Sequence, residues 1–162
     1  RHTMAVATVA AGETQAPLGS GVGSFVQVFE QSAPPALQLR RYVNHAHNEY
    51  AQWWLEAGWL AMLALASALV VLAMCGWRIA ALRIRNGHAA LAASGFVAIC
   101  AVLAHSWADY PLRTTTLMTT TAALAGLMLA TLQEARAREK SRRQMRHELA
   151  RAARLAHDPA LD

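Results

Sequence analysis

Ionisable side chains are missing from several long stretches of this chain. Residues 60–76 and 89–103 contain no Asp, Glu, Lys, Arg or His. Charged residues make up 15% of the 162, below the usual share for a soluble domain, and the apolar fraction of 55% is above it. Apolar and charged residues are also segregated along the chain, which marks a membrane protein. A transporter or channel subunit is expected to carry ionisable groups at mid-membrane, so the two empty stretches count against that class. Cysteine is down to Cys75 and Cys100, each inside an apolar run. A thiol there acts as a small apolar group and says nothing of redox compartment. No signal-peptide pattern follows the first residue, Arg1. The chain is expected to be the C-terminal part of a longer polytopic protein whose upstream helices complete the core.

What charge there is lies in blocks. The net charge is +5, and eight of the fifteen basic residues fall between Arg136 and Arg154, directly after an apolar run. Arg78, Arg83 and Arg85 sit between two apolar runs. This is the positive-inside distribution of cytoplasmic segments, and it argues against a nucleic-acid partner. The spacing predicts an all-α, polytopic transmembrane helical bundle with spans over about 57–77, 89–107 and 117–132. Each comes close to the ~20 apolar residues that cross a bilayer core. Trp53, Trp54 and Trp59 mark one interface of the first span and Trp77 the other. Residues 1–56 and the turn 108–114 are then outside, and 78–88 and 133–162 cytoplasmic. The tail from Gln133 reads as a basic helix lying near anionic lipid, with Glu134/Arg138 and Glu139/Arg143 at i,i+4 spacing.

Within 1–56, residues 1–16 are too short and Ala-rich for a span and suggest a short helix at the membrane surface. PLGSGVGSF, residues 17–25, places three glycines in five positions. Its backbone can turn tightly or come close to another group: it is an ordinary turn, or a loop approaching a phosphate or glycan. It is not a Rossmann fingerprint, because spacing and strand–helix context are both wrong. Residues 25–30 fit helix or strand, and Pro34-Pro35 break any regular element.

The stretch with most chemistry is NHAHNEY, residues 44–50, at the mouth of the first span. A helix starting near Asn44 would put His47, Tyr50 and Trp54 on one face and His45, Glu49 and Gln52 on another. Imidazole titrates near neutrality and serves as a general base. His105 and Asp109 form an i,i+4 pair at the outer end of the second span. Arg1, Arg40, Arg41 and Arg113 are candidates to grip phosphate oxygens, and tryptophan and tyrosine faces suit sugar rings. The inventory fits chemistry on a lipid-linked, phosphorylated glycan. The plainer readings are headgroup-binding histidines, belt tryptophans and a solvated arginine pair. A metal site from His45, His47, His105 and Asp109 is a further alternative, but His-X-His puts both rings on one side only in an extended segment.

PLGSGVGSF, YVNHAHNEYAQWWLEAGWLAML and HSWADYPLRTTTLMTTTAALAGL, in this order, resemble the C-terminal half of the O-antigen ligase/polymerase superfamily (Wzy/WaaL type), over roughly residues 1–132. The resemblance implies a membrane glycosyltransferase that moves a glycan from an undecaprenyl-pyrophosphate carrier to an acceptor hydroxyl in the periplasm. That acceptor is lipid A-core, a growing glycan or a protein. It implies catalysis with no metal or other cofactor and a periplasmic histidine as base: His47 by motif match, His45 second. Arginines hold the pyrophosphate, Arg1 standing where the family has one ahead of the glycine motif. Asn48, Glu49, Tyr50, Arg40, Arg41, His105, Asp109 and Arg113 are the remaining substrate-binding candidates. The alternatives are a transporter subunit and a noncatalytic membrane module whose basic tail recruits a partner.

Overall fold

The computed structural model describes residues 2–32, 43–82 and 86–155. It is all-α, a helical bundle with no strand among the described residues. Its elements are α1 (His2–Thr14), α2 (Phe25–Ser32), α3 (Glu49–Ala80), α4 (Gly87–His105), a 3-10 turn (Pro111–Arg113) and α5 (Thr115–Leu155). Three helices, α3, α4 and α5, are long and apolar enough to cross a membrane. Only 11%, 22% and 17% of their most apolar windows is buried within the chain. Their outward-facing Leu63, Val70, Val97 and Leu127 therefore meet lipid or other protein.

The spans pack through small residues, as helices do where lipid removes the hydrophobic drive to associate. Gly95 of α4 lies against Met128 of α5, where an added Cβ would stand 3.1 Å from the methionine Cβ. Gly76 of α3 lies under the Phe96 ring. Cys75, Ala92, Ile99, Met128 and Leu132 form the core between them. Asn86 caps α4 by accepting from the Ala89 N–H at 2.9 Å. The threonines opening α5 return their hydroxyls to the helix's own carbonyls, Thr120 to Thr116 and Thr121 to Leu117, each at 2.7 Å.

Four sequence expectations change. The short helix expected within residues 1–16 is α1; what changes is that α3 already begins at Glu49, ahead of the span start expected at 57. Phe25 and Phe29 stack at 5.1 Å and bury with Ala46 against α1, so the ambiguous 25–30 stretch is helix. The helix expected from Asn44 starts five residues later, because Asn48 is its cap and residues 43–48 are not helical. The charged tail is no separate helix. α5 runs without interruption from Thr115 to Leu155, with no glycine or proline between Gly126 and Leu155 to stop it. It therefore continues the direction of its span and does not turn to lie along the bilayer.

Helix α3 has one break. Gly58 has φ 52° and ψ −135°, a conformation that residues with a Cβ adopt only under strain. The glycine loop fills the hydrogen bonds lost there. The Leu55 carbonyl accepts from the Ser20 N–H and the Glu56 carbonyl from the Gly21 N–H, both at 2.9 Å, while the Trp59 N–H donates to the Pro17 carbonyl at 3.0 Å. Gly19, φ 78°, is pressed so close to α3 that a Cβ would stand 2.6 Å from the Glu56 carbonyl oxygen and the Ala57 nitrogen. What PLGSGVGSF closely approaches is the backbone of α3, which is neither of the two readings, an ordinary turn or a loop approaching a phosphate or glycan. A helix interrupted near the membrane must have its freed groups satisfied by protein, and this loop does so.

Candidate functional site

The NHAHNEY stretch and the HSWADYPLR turn meet at the end of the bundle opposite the basic segments. Their joint is built from polar contacts across α3 and α4. The Glu49 N–H donates to the Ser106 carbonyl at 2.9 Å. The Ser106 hydroxyl donates to Glu49 Oε2 at 2.9 Å, and the Leu112 N–H reaches the same oxygen at 3.4 Å. Asn48 caps α3 through Oδ1, accepting from Ala51 at 3.0 Å, and its Nδ2 donates to the Trp107 carbonyl at 2.9 Å. The Tyr50 hydroxyl donates to the Leu103 carbonyl at 2.6 Å. Asn48, Glu49 and Tyr50 therefore hold the joint closed. Glu49 is 1% exposed and turned into it.

A second chain of contacts crosses the joint. Arg113 donates to Glu56, Nη2 to Oε2 at 2.8 Å and Nη1 to Oε1 at 3.4 Å. Gln52 Nε2 donates to Glu56 Oε1 at 2.9 Å, and Gln52 Oε1 accepts from the Ala46 N–H at 3.3 Å. A line of contacts thus runs from the α4–α5 turn through α3 to the residue before His47. Glu56 is 3% exposed. Removing its partner leaves a buried charge, which costs about 3–5 kcal/mol. Arg113→Gln is expected to destabilise the full chain on that scale, and the double variant with Glu56→Gln to recover much of the loss, as read from a double-mutant cycle of denaturation.

His47 stands at the centre, with φ 51°, a left-handed conformation that few residues besides glycine and asparagine adopt readily. Its Nδ1 lies 3.4 Å from Oδ1 of Asp109, which also accepts from the Tyr110 N–H at 3.1 Å. A carboxylate only accepts, so in this contact Nδ1 carries a proton, and in the neutral ring the lone pair is then on Nε2. The Tyr110 ring packs against both histidines, 4.2 Å from His45 and 5.3 Å from His47 between centroids. His45 is the more enclosed, and its Nδ1 is buried with no partner among the described residues.

Burial, and next the Arg113 guanidinium, lower the pKa of His45 from its usual 6.5, against the opposing pull of Gln52 and Glu56. The unfolded chain then takes up this proton at a higher pH than the folded one. The stabilisation from His45 is complete above pH 6.5 and is lost as the pH falls through the lowered value. Thermal denaturation of the full chain is expected to show declining stability on the acid side of that pH, and His45→Gln to flatten the decline.

His47 opens onto a cleft of about 1000 Å³ between α1 and α3. Ala5, Val6 and Val9 form one wall, Trp54, Trp59 and Met62 the other, and His47, Tyr50 and Trp107 the polar rim. Helix α1 is held against α3 by small residues: Thr8 and Ala11 are buried, and a Cβ on Gly12 would run into the Trp54 indole.

The other predicted site residues divide as follows. Arg1, Arg40 and Arg41 lie outside the described residues. His105 is exposed and does not pair with Asp109, which the turn after α4 carries across to His47. The four residues weighed as metal ligands are not gathered, and the described residues hold no group of three or more His, Cys, Asp or Glu side chains able to share an ion. Sequence reasoning named Gln52 on a face with Glu49 but gave it no role, and missed Ser106 and the buried setting of Glu56. The signal for Glu56 was a carboxylate two residues before a glycine at the mouth of an apolar run. The chain matches no protein-family model, no curated protein and no solved structure.

Proposed function

We propose that the chain belongs to a membrane glycosyltransferase of the O-antigen ligase/polymerase type, with His47 as general base. The observation that carries this reading is the His47–Asp109 pair, 3.4 Å apart, at the polar rim of an apolar cleft. Asp109 fixes the imidazole tautomer, and Nε2 takes the proton from the acceptor hydroxyl as its oxygen attacks the anomeric carbon of the glycan. The bond from that carbon to the pyrophosphate oxygen breaks, and undecaprenyl pyrophosphate leaves. The cleft walls suit the prenyl chain of the donor or the acyl chains of a lipid acceptor. Arg113 is committed to Glu56, so the pyrophosphate charge falls to Arg40 and Arg41, which precede His47 in the chain, to Arg1, or to other parts of the protein. In this reading Gln52, Glu56 and Arg113 are positioning residues that set the backbone ahead of His47. In this reading the site faces the periplasm of a bacterial inner membrane, on the side opposite the arginine-rich segments. The test is glycan transfer from a lipid-linked donor by the full-length protein in membranes, with and without His47. Transfer at the wild-type rate without the imidazole would end the assignment.

A further inference from the structure

The far end of the bundle carries a second cleft, of about 770 Å³, where α3 ends and α5 leaves its apolar stretch. Four cations line it: Arg78 from α3, and Arg136, Lys140 and Arg143 from α5. The three on α5 follow i, i+4 and i+7 spacing and share one face, so they repel one another along the helix. Among the described residues only Arg143 has an acidic partner, the Glu139 carboxylate, which is 7% exposed. Trp77, 78% exposed, stands at the edge of the cleft, where the apolar surface of α3 gives way to Arg78. An exposed tryptophan at that level sits at the headgroup boundary of a bilayer. The excess of positive charge calls for an anion, and the apolar collar calls for an anion attached to hydrocarbon. A basic pocket between spans at this depth fits a phospholipid headgroup.

We propose that this cleft binds the phosphate of an anionic phospholipid, held between Arg78 and the Arg136–Lys140 face, with an acyl chain running along the exposed side of α3. The site lies at the opposite end of α3 from His47 and does not depend on the transferase reading.

The test is lipid binding by the full-length chain in detergent at fixed ionic strength, followed by native mass spectrometry. The probes are phosphatidylglycerol, phosphatidylcholine and inorganic phosphate. The double variant Arg136→Gln/Lys140→Gln is expected to bind phosphatidylglycerol about 30-fold more weakly, from the usual contribution of two basic residues near an anionic lipid surface. Arg138→Gln/Arg142→Gln removes the same charge from positions about 200° around the helix and is expected to leave binding within about twofold. Ala137→Phe, which fills the cleft and keeps every charge, is expected to weaken binding as well. Equal losses in both double variants would reduce the effect to general attraction and overturn the proposal. So would unchanged binding in the cleft variants, phosphatidylcholine bound as tightly as phosphatidylglycerol, or inorganic phosphate competing at the same concentration as lipid.

Discussion

Replacing His47 by asparagine is expected to lower glycan transfer by about 10²–10⁴-fold, the usual contribution of a positioned general base. Asparagine is the informative choice because of the backbone. His47 holds φ 51°, and asparagine tolerates that region better than other residues with a Cβ. The variant therefore removes the imidazole while keeping the conformation that places it. The loss should appear in kcat with little change in KM, since the imidazole acts on the acceptor proton in the transition state. Asp109→Asn keeps an acceptor oxygen but loses the charge that favours the imidazolium as it forms. With a contact of 3.4 Å and a partly exposed carboxylate, a smaller loss is expected there, about 10- to 100-fold. His45→Ala should fall below either, because its ring lies enclosed against Tyr110. A His45 variant that loses as much as the His47 variant would exchange the two roles.

The second large effect concerns the fold. Gly58→Ala places a methyl group into the Pro17 carbonyl and 2.9 Å from the Gly19 nitrogen. It also demands a backbone conformation that costs a residue with a Cβ about 1–3 kcal/mol. The helix can avoid both by straightening, but then the Leu55 and Glu56 carbonyls and the Trp59 N–H return to helical partners and the glycine loop loses its seat. The expected outcome is a protein that still inserts, while residues 17–24 become open to proteolysis and α1 loosens from α3. Gly21→Ala is the matched control: its φ is 103°, but an added Cβ there meets nothing within 4 Å. It carries backbone strain alone, so limited proteolysis should separate the two variants. Equal protection in Gly58→Ala and wild type would mean that the loop does not depend on the break.

These two sites also show what could be read from the sequence and what could not. The three spans were legible because bilayer thickness demands long runs empty of charge, and residues 60–76 and 89–103 are such runs. The meeting of NHAHNEY with HSWADYPLR was legible from arginine asymmetry, which put both at one end of neighbouring helices. The start of α3 was not. Asn44 and Asn48 are both acceptable caps, and the choice falls to Asn48 because its amide also reaches the Trp107 carbonyl, 59 residues away. His105 and Asp109 have helical spacing, yet the helix ends at His105, so Asp109 was free to turn toward His47. The tail was divided from its span because charge replaces hydrophobicity at Gln133. Backbone propensity does not change there: Ala, Glu, Arg, Lys and Gln are all good helix formers.

The unbroken course of α5 has a mechanical consequence. Forty-one residues at 1.5 Å per residue make a rod of roughly 60 Å, with Arg113 just ahead of one end and the basic cleft about halfway along it. A rod that long behaves as a lever. A tilt of a few degrees about its middle moves either end by about 2 Å, the difference between a made and a broken hydrogen bond. With the cleft at that pivot, the Arg113 end, about 30 Å away, is the part that moves against Glu56 and, through Gln52 and Ala46, bears on the posture of His47.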